Sequence, residues 1–365
     1  MRTRSIVLAL WCAVAAPLGA QELAIHYINV GWGSSVLVIG PNGTTVLMEA
    51  GGTGRGTNEV VPYLKDIGIQ PPDGLDYTIT GHQHCDHLGG LDEVVDAGYD
   101  VREENYFNGS NYGKDDPPGR CVPQWRRTAR FETTAGGLRT MQPGTTIDLG
   151  NGATLTCLVR RGLVIGGHQV PVSDENDKSL AILIQYGGFD YLWASDMGGG
   201  NIDTACTGRR TTNQTDVESY VIDAILPGGN HPLITDGGID VLNVNHHGSE
   251  SSTNKNWFNR AEPALAVIAT GRGQDANWHL PRKDVVESVL FAQAACITAS
   301  ATFVLQTEEG APLGNQTSRR GFCVGNIVIT TDGESIFTVN ADGDVSQGPN
   351  ERNLAGLPRT VPLDN

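Results

Sequence analysis

Six of the nine histidines in the chain fall in three short segments, and the densest is the six-residue row 82–87 with the sequence HQHCDH. Imidazole nitrogens and carboxylate oxygens hold zinc and similar divalent ions in catalytic sites that keep one position open for water. On an extended stretch His82 and His84 point the same way and can share one metal. Asp86 and His87 follow past a bend and can bind a second. The row therefore predicts a metal site.

Strand-like segments end at these polar residues. The segment 77–80 is rich in β-branched and aromatic residues and Gly81 ends it, so a buried strand delivers the row into a loop. Rigid scaffolds usually place chemistry at such positions. Three later predicted strands, at 191–194, 240–244 and 264–269, lead in the same way to Ser195 and Asp196, to His246 and His247, and to His279.

The first twenty residues have the pattern of a secretory signal peptide. Arg2 and Arg4 precede the apolar stretch 6–16, and Ala20 comes before a polar continuation. The stretch is too short to span a membrane. We therefore expect a signal peptide over 1–20, a secreted or periplasmic protein, and no stable membrane insertion.

The chain is strongly acidic, with a formal net charge of −16 that becomes more negative when the two arginines of the signal peptide are removed. Such a field repels long duplex nucleic acid and anionic membranes. It does not exclude an anionic small-molecule or polymer substrate, because bound divalent metals invert the sign of the charge locally. The sequence predicts no oligomeric state.

Six cysteines follow the predicted signal peptide, and an even count in an exported chain indicates disulfides. Cys296 and Cys323 flank a β-like stretch with a turn and are the preferred pair. Cys85 lies inside the histidine row, where its thiolate could bind metal or take part in redox chemistry, although its neighbours already supply enough ligands.

The segment 98–144 is rich in Asn, Gly and Pro and is predicted to be an irregular inserted loop. It contains the densest basic cluster of the chain, which either holds an anionic substrate near the metals or forms a solvated surface. The cluster consists of Arg120, Arg126, Arg127 and Arg130, with Trp125 among them. Residues 342–365 are predicted to form a weakly ordered tail.

Taken together, these motifs resemble a known superfamily. The row 82–87 followed by Leu88-Gly89-Gly90 resembles the signature of the metallo-β-lactamase fold superfamily. Further segments are similar to the hydrolase domain of the competence protein ComEC and its secreted relatives, over about 23–339. These segments are Gly31-Trp32-Gly33, Pro41-Asn42-Gly43, Asn176 to Leu180, Ser195-Asp196, His246 to Ser249, and Asn277 with His279.

The resemblance implies a four-layered αβ/βα sandwich, formed by a single hydrolase domain over 21–341, with a dinuclear metal site at one edge of its two sheets. Two divalent ions, zinc or alternatively manganese, would share a water and lower its pKa, and this bridging hydroxide would attack the substrate. The implied ligands are His82 and His84 on the first metal, Asp86 and His87 on the second, Asp196 as a bridge, and His246 completing the second site.

Three further histidines have implied roles or alternatives. His247 would contact the substrate or support a ligand, and His279 would bind substrate or protonate the leaving group; with Asp86 they form the expected catalytic set. His168 is the one histidine between the row and Asp196, where many superfamily members have a third ligand of the first metal.

Four residues depart from the pattern of ComEC-like proteins. Asn29, Ser34 and Glu49 stand where Asp is usual, and Ser195 replaces a Gly. The leading hypothesis is a secreted metal-dependent hydrolase of phosphodiesters or related phosphate esters. A carboxylic ester, lactone or amide hydrolase is the alternative within the same fold. A secreted binding protein that keeps its metals only for stability is the alternative outside enzymes, and the departures motivate it.

Overall fold

The computed structural model describes most of the chain after the predicted signal peptide, which lies outside the described residues. The described ranges are 22–109, 120–235, 237–275, 277–310, 322–345 and 356–363. No helix within these ranges is both long and apolar enough to cross a membrane.

Eighteen strands and seven α-helices lie in the described ranges. The strands are β1 (Leu23–Tyr27), β2 (Val36–Ile39), β3 (Thr45–Met48), β4 (Leu75–Thr80), β5 (Val101–Phe107), β6 (Leu138–Thr140), β7 (Thr146–Gly150), β8 (Ala153–Arg160), β9 (Leu163–Val164), β10 (Ala181–Tyr186), β11 (Phe189–Trp193), β12 (Val241–Asn243), β13 (Leu265–Ile268), β14 (Phe303–Gln306), β15 (Phe322–Cys323), β16 (Ile327–Thr331), β17 (Ile336–Ala341) and β18 (Arg359–Pro362). The helices are α1 (Val61–Asp66), α2 (Cys85–Leu88), α3 (Leu91–Asp96), α4 (Cys121–Phe131), α5 (Thr204–Thr207), α6 (Glu218–Ile225) and α7 (Lys255–Ala261). Two π-helical segments, Gly56–Val60 and Asp284–Leu290, and two 3₁₀ segments, Asn176–Lys178 and Asn245–Gly248, complete the helical part of the described residues.

The strands form two mixed sheets. The order in the first sheet is β18-β17-β16-β1-β2-β3-β4-β5-β6, and the order in the second is β15-β14-β13-β12-β11-β10-β8-β7, with β9 paired to β8. The neighbours β3, β4 and β5 run parallel, as do β11, β12 and β13. Parallel strands end at the same edge of their sheet, and this is why polar segments distant in sequence can meet there.

Strand β10 shows why the sheets are covered on both faces. Ile182, Ile184 and Tyr186 belong to the core between the two sheets, whereas Ala181 and Leu183 belong to the core on the outer face of the second sheet. Successive side chains of a strand point to opposite faces, so a strand that is apolar at every position must be covered twice.

Helices supply the outer layers. On the first sheet α1, α3 and α4 pack through side chains such as Leu64, Val94 and Trp125. On the second sheet α6 and α7 pack through side chains such as Ile222 and Trp257. The layers therefore run helix, sheet, sheet, helix, and the predicted four-layered αβ/βα sandwich is confirmed.

The prediction of an irregular loop over 98–144 is wrong for the part that the structure describes. This part contains β5, α4 and β6. Helix α4 buries Cys121, Val122, Trp125 and Ala129, which lie on one face at helical spacing. Its arginines lie on the other side of the helix. Because the segment 98–144 is rich in Asn, Gly and Pro, its composition indicated a loop and the helix was not predicted. At the far end of the chain, β18 pairs antiparallel with β17, so these residues of the predicted tail belong to the first sheet.

The predicted Cys296–Cys323 disulfide is wrong. The structure has Cys85–Cys121 and Cys206–Cys296 instead. The prediction assumed that the chain turns back between Cys296 and Cys323. Strands β14 and β15 are parallel, however, and Cys323 is paired in register with Gln306 at the end of β14. Cys85 is therefore a disulfide cysteine and not a metal ligand.

The Cys206–Cys296 bridge closes a segment with a sequence separation of 90 residues. Because a cross-link restricts the unfolded chain, we expect the variant Cys206→Ser/Cys296→Ser to lose about 2–4 kcal/mol of unfolding free energy. Urea denaturation measures this loss, with Cys323→Ala as the control that leaves both bridges intact. Peptide mapping without reductant checks the pairing, and recovery of a Cys296–Cys323 peptide contradicts the structure.

Candidate metal centre

The ends of parallel strands build the candidate metal centre. Strand β4 delivers the row 82–87, β11 delivers Ser195 and Asp196, and β12 leads to His246 and His247. His84 keeps an extended backbone and caps α2, which begins at the next residue. This switch from strand to helix is the bend that separates the first two predicted ligands from the second two.

Asp196, one of the six predicted ligands, lies at the middle of the centre. Its carboxylate is 3 % exposed and faces four imidazoles. The distances from its oxygens to the Nε2 atoms are 3.2 Å for His87, 3.6 Å for His82, 3.6 Å for His246 and 3.6 Å for His247. The structure therefore brings Asp196 together with three predicted ligands, His82, His87 and His246, and with His247.

The nitrogens and carboxylates around Asp196 form two sets of close contacts, which meet where the His82 and His87 ring centroids lie 4.2 Å apart. In the first, His82 Nε2 is 3.0 Å from His84 Nδ1. In the second, His87 Nε2 is 3.2 Å from His247 Nε2, and Asp86 Oδ2 is 3.8 Å from His87 and 3.7 Å from His247. Asp86, His87 and His247 offer ligand atoms that all lie within 4.8 Å of one another, as a shared ion requires.

Four of the imidazoles are held from behind through Nδ1. The partners are Ser195 Oγ at 3.1 Å for His82, Glu49 Oε2 at 2.8 Å for His87, Ser251 Oγ at 2.8 Å for His246, and the Ala269 carbonyl at 2.7 Å for His247. A carbonyl or carboxylate oxygen only accepts, so His87 and His247 donate from Nδ1. Such bonds fix the ring and leave the Nε2 lone pair facing the centre, as metal-binding histidines require.

Burial and neighbouring charges both shift the pKa values of groups at the centre. Burial disfavours the charge on Asp196, yet His87, His247, His246 and His82 hold the pKa of its carboxyl well below the usual range. Burial likewise opposes charge on His87, but Asp196, Glu49 and Asp86 raise the pKa of this imidazole well above its ordinary value. Burial lowers the pKa of His82 and of His246. By its chemistry, the donor set of imidazole nitrogens and carboxylate oxygens fits divalent ions of the zinc type.

Two departures from the ComEC-like pattern contact each other. Ser195 Oγ donates to Glu49 Oε1 at 2.7 Å, and the other oxygen of Glu49 accepts from His87. His82 donates to the same serine oxygen. The longer side chain of Glu49 thus still reaches the predicted ligand His87. The serine side chain at position 195 joins Glu49 to a second predicted ligand, His82.

The backbone of the centre is strained. Glu49, Ser195, His246 and His247 have φ values of 63°, 48°, 52° and 54°, in the left-handed region that residues other than glycine seldom adopt. Such conformations persist only where the surroundings determine them.

Glu218 on α6 braces the segment that carries the two adjacent histidines. Its carboxylate is fully buried and accepts from Asn245 Nδ2 at 2.7 Å, from the Thr253 amide at 2.6 Å and from the Asn254 amide at 2.8 Å. Burial raises its pKa to about 8, and the three donors oppose that rise. Sequence reasoning missed Glu218, because no motif or spacing sets it apart from other acidic residues on a helix.

A cleft of about 500 Å³ opens beside the centre. The lining includes the apolar side chains of Trp32, Trp278 and Leu280 and the polar side chains of Asn176 and Arg210. His84, Asp86, Asp196 and His246 form part of its lining. Sequence reasoning listed the Gly-Trp-Gly motif but did not predict that its tryptophan would face the centre.

Two of the other predicted features lie elsewhere. His168 is exposed and stacks on Tyr220, with ring centroids 4.7 Å apart. Arg126 and Arg130 of the basic cluster lie over Phe107 and Phe131. Among the described residues that line the cleft, the only arginine is Arg210, so the basic cluster on α4 does not contribute to this lining.

His279 lies between two lining residues, Trp278 and Leu280, and does not itself line the cleft. Its Nδ1 atom is buried without a hydrogen-bond partner among the described residues. The proposed roles for His279 therefore depend on experiment.

No protein-family model matches the chain. The chain is 25 % identical over 273 residues to Recombination protein 2 of Haemophilus influenzae, covering 72 % of this chain and 26 % of that protein. It is 23 % identical over 287 residues to ComE operon protein 3 of Bacillus subtilis, covering 74 % of this chain and 31 % of that protein. The predicted resemblance to ComEC-like proteins is confirmed. The chain spans between a quarter and a third of the length of these relatives.

Solved structures of low sequence identity also align with the chain. The metallo-β-lactamase fold protein YhfI from Bacillus subtilis aligns with 13 % identity and a TM-score of 0.43, covering 78 % of this chain and 96 % of that one. The diiron β-hydroxylase CmlA from Streptomyces venezuelae aligns with 13 % identity and a TM-score of 0.39, covering 70 % of this chain and 45 % of that one.

The contact between Glu49 and Ser195 predicts a coupled effect on metal binding. We expect Ser195→Ala and Glu49→Gln each to weaken zinc affinity about 10- to 100-fold, because either change removes support from behind a ligand. The double variant should lose little more zinc affinity than the single variant that binds zinc less tightly, since both changes act through one network. Chelator competition measures the affinities. Ser288→Ala, which removes a hydroxyl bonded to the Thr207 carbonyl, is the matched control; additive losses at 49 and 195 contradict the coupling.

Proposed function

We propose that the protein is a dinuclear metal-dependent hydrolase that acts on phosphodiesters or related phosphate esters. The observation that carries this proposal is the position of the Asp196 carboxylate, which lies within 3.2–3.6 Å of four histidine nitrogens in two ligand groups. The similarity to Recombination protein 2 supports a phosphate ester over other substrates, because recombination rearranges the phosphodiester backbone of nucleic acid.

The proposed ligands of the second metal are Asp86, His87 and His247. This differs from the sequence expectation, which assigned His246 to that metal. The reason is that His247 Nε2 lies 3.2 Å from His87 Nε2 and 3.7 Å from Asp86.

The proposed ligands of the first metal are His82, His84 and His246, with Asp196 shared between the two sites. His246 Nε2 lies 3.6 Å from Asp196 Oδ2 and 3.3 Å from Asn176 Nδ2. In this arrangement His246 provides the third imidazole of the first metal, a place that the exposed His168 does not take.

Two divalent ions held this way would supply a water that ionises near neutral pH and positive charge for the attacked phosphoryl group. The protein's own residues hold the proposed ligands in place: Ser195 and Glu49 bond to His82 and His87, and Ser251 and the Ala269 carbonyl bond to His246 and His247. Arg210 lines the cleft as a pair with Glu250, so the positive charge for an anionic substrate would come from the metals. The two disulfides support the proposal of a secreted or periplasmic location.

The apolar side chains that line the cleft favour a second candidate, the hydrolysis of a carboxylic ester or lactone with an apolar acyl group. The two candidates share one site and are separated by parallel assays on a phosphodiester, a lactone and an ester. A binding protein that keeps metals for stability alone is the outcome if the metals bind but no substrate is turned over.

The proposal predicts metal content and activity together. We expect about two zinc or manganese ions for each chain and turnover of bis-p-nitrophenyl phosphate. Asp196→Asn should lower kcat more than 100-fold, because the amide cannot carry the charge that joins the two ligand groups. Elemental analysis and a colorimetric assay measure these quantities. His168→Ala is the matched histidine control and should retain both properties; fewer than one ion bound to each parent chain rules the proposal out.

Protonation of the leaving group by His279 predicts an effect that depends on the substrate. We expect His279→Ala to lower kcat at least tenfold for an alkyl phosphodiester, whose leaving alkoxide needs a proton. The same variant should change kcat little for a p-nitrophenyl ester, which leaves as a stable anion. Steady-state kinetics with both esters checks this. Equal losses of kcat on both esters would mean that His279 supports the loop and does not protonate the leaving group. Unchanged kcat on both esters excludes protonation by His279.

A further inference from the structure

Trp278 exposes an indole ring at the mouth of the cleft. Its side chain is 47 % exposed, and it is one of five large apolar side chains that are exposed in the described part of the chain. Trp278 is the member of this group that lines the cleft beside the metal centre. Ligand sites are typically clefts that combine aromatic side chains with a few polar groups, and this cleft has both.

Trp32 connects this ring to the metal centre. The centroid of its ring system lies 4.5 Å from the His247 imidazole and 5.3 Å from Trp278. The two indoles are inclined at 38° and contact each other, so they form a continuous platform and do not surround a space. The platform begins at a proposed metal ligand and extends outward by about the size of one ring.

The loops that carry the two indoles are packed together at their backbones. A Cβ atom placed on Gly271 would lie 2.2 Å from the Gly31 carbonyl carbon, so position 271 has room for glycine alone. The side chain of Gln274 then closes the second loop: its Nε2 donates to the carbonyls of Gly271 and Leu280, and its Oε1 accepts from the Leu280 amide at 2.6 Å. The platform is therefore held in place before a ligand arrives, which lowers the entropic cost of binding.

The charged side chains that line the cleft outside the metal centre are balanced. They are Arg210 and Glu250, and Arg210 donates from Nε to Glu250 at 2.7 Å. Glu250 also lies 3.3 Å from Arg282, which is not part of the lining. Outside the metal centre the cleft offers an apolar platform without surplus charge, and this suits a neutral group. A quaternary ammonium ion would need aromatic faces around it or excess negative charge.

On the basis of the proposed function, we propose that the platform of Trp32 and Trp278 binds a neutral planar ring, of aryl or nucleobase size, attached to the phosphoryl group held at the metal centre. The ring stacks on the exposed face of Trp278. The acidic charge of the whole chain opposes a long polyanion, so the substrate class is a short phosphodiester that carries such a ring.

Two methyl esters with one leaving group test the proposal: thymidine 5′-methyl phosphate, which carries a planar ring, and its abasic analogue 2-deoxyribose 5-methyl phosphate, which carries none. Release of methanol measures the turnover of both. We expect the metal-loaded parent to prefer the thymidine ester by about tenfold in kcat/KM, because a base stacked on an aromatic side chain contributes that much or more. In Trp278→Leu the ratio of the two kcat/KM values should fall to near one. Phe131→Leu, which changes an exposed aromatic side chain on α4, should leave the ratio unchanged.

Several outcomes overturn the proposal. They are a parent ratio near one, a ratio that survives Trp278→Leu, and a loss in Trp278→Leu that is larger for methyl phosphorylcholine, which carries no ring, than for the thymidine ester. A calorimetric binding arm separates this proposal from the proposed function. If the parent turns over no phosphodiester, the metal-loaded protein should still bind thymidine 5′-monophosphate about tenfold more tightly than ribose 5-phosphate, and Trp278→Leu should abolish the difference. Equal binding of the two ligands by the parent overturns the platform.

Discussion

The carboxylate of Asp196 imposes the constraint on which the rest of the centre depends. A charged carboxylate removed from water costs several kcal/mol unless other groups compensate it. Here the compensation comes from imidazoles that converge on both of its oxygens. Imidazoles that converge on one point must in turn be held from behind, and this accounts for the ring of outer partners from Glu49 to the Ala269 carbonyl.

The backbone of the centre adds a second cost. Left-handed conformations at Glu49, Ser195, His246 and His247 cost about 1–3 kcal/mol each. The fold offsets this cost through well-formed sheets whose parallel strands end at one edge, and through the three hydrogen bonds that Glu218 accepts. Strain and burial are thus concentrated in the same few residues, while the layers around them follow ordinary alternation of apolar side chains.

Much of the fold could be predicted because its signals are local. Strands such as β2 and β3 lie where the apolar segments and turn residues predicted them. The spacing within the row 82–87 predicted a metal site from neighbouring residues alone. Properties that depend on distant segments could not be predicted. Helix α4 was hidden by its polar composition, and the pairing of Cys296 depended on whether β14 and β15 are parallel. The contact of Trp32 with Trp278 depended on a glycine in each of two loops that are far apart in the sequence.

The centre lies on the seam between the two sheets. The first sheet supplies the row 82–87 and Glu49, and the second supplies Asp196, His246 and His247. Hydrogen bonds from Ser195 to Glu49 and from the Leu180 amide to the Gly81 carbonyl already cross this seam. Ions bound there would join the two halves of the sandwich at one edge. With metal bound, the two halves would unfold as a single cooperative unit. The residues that bind the metals would then also determine whether one half can unfold locally without the other.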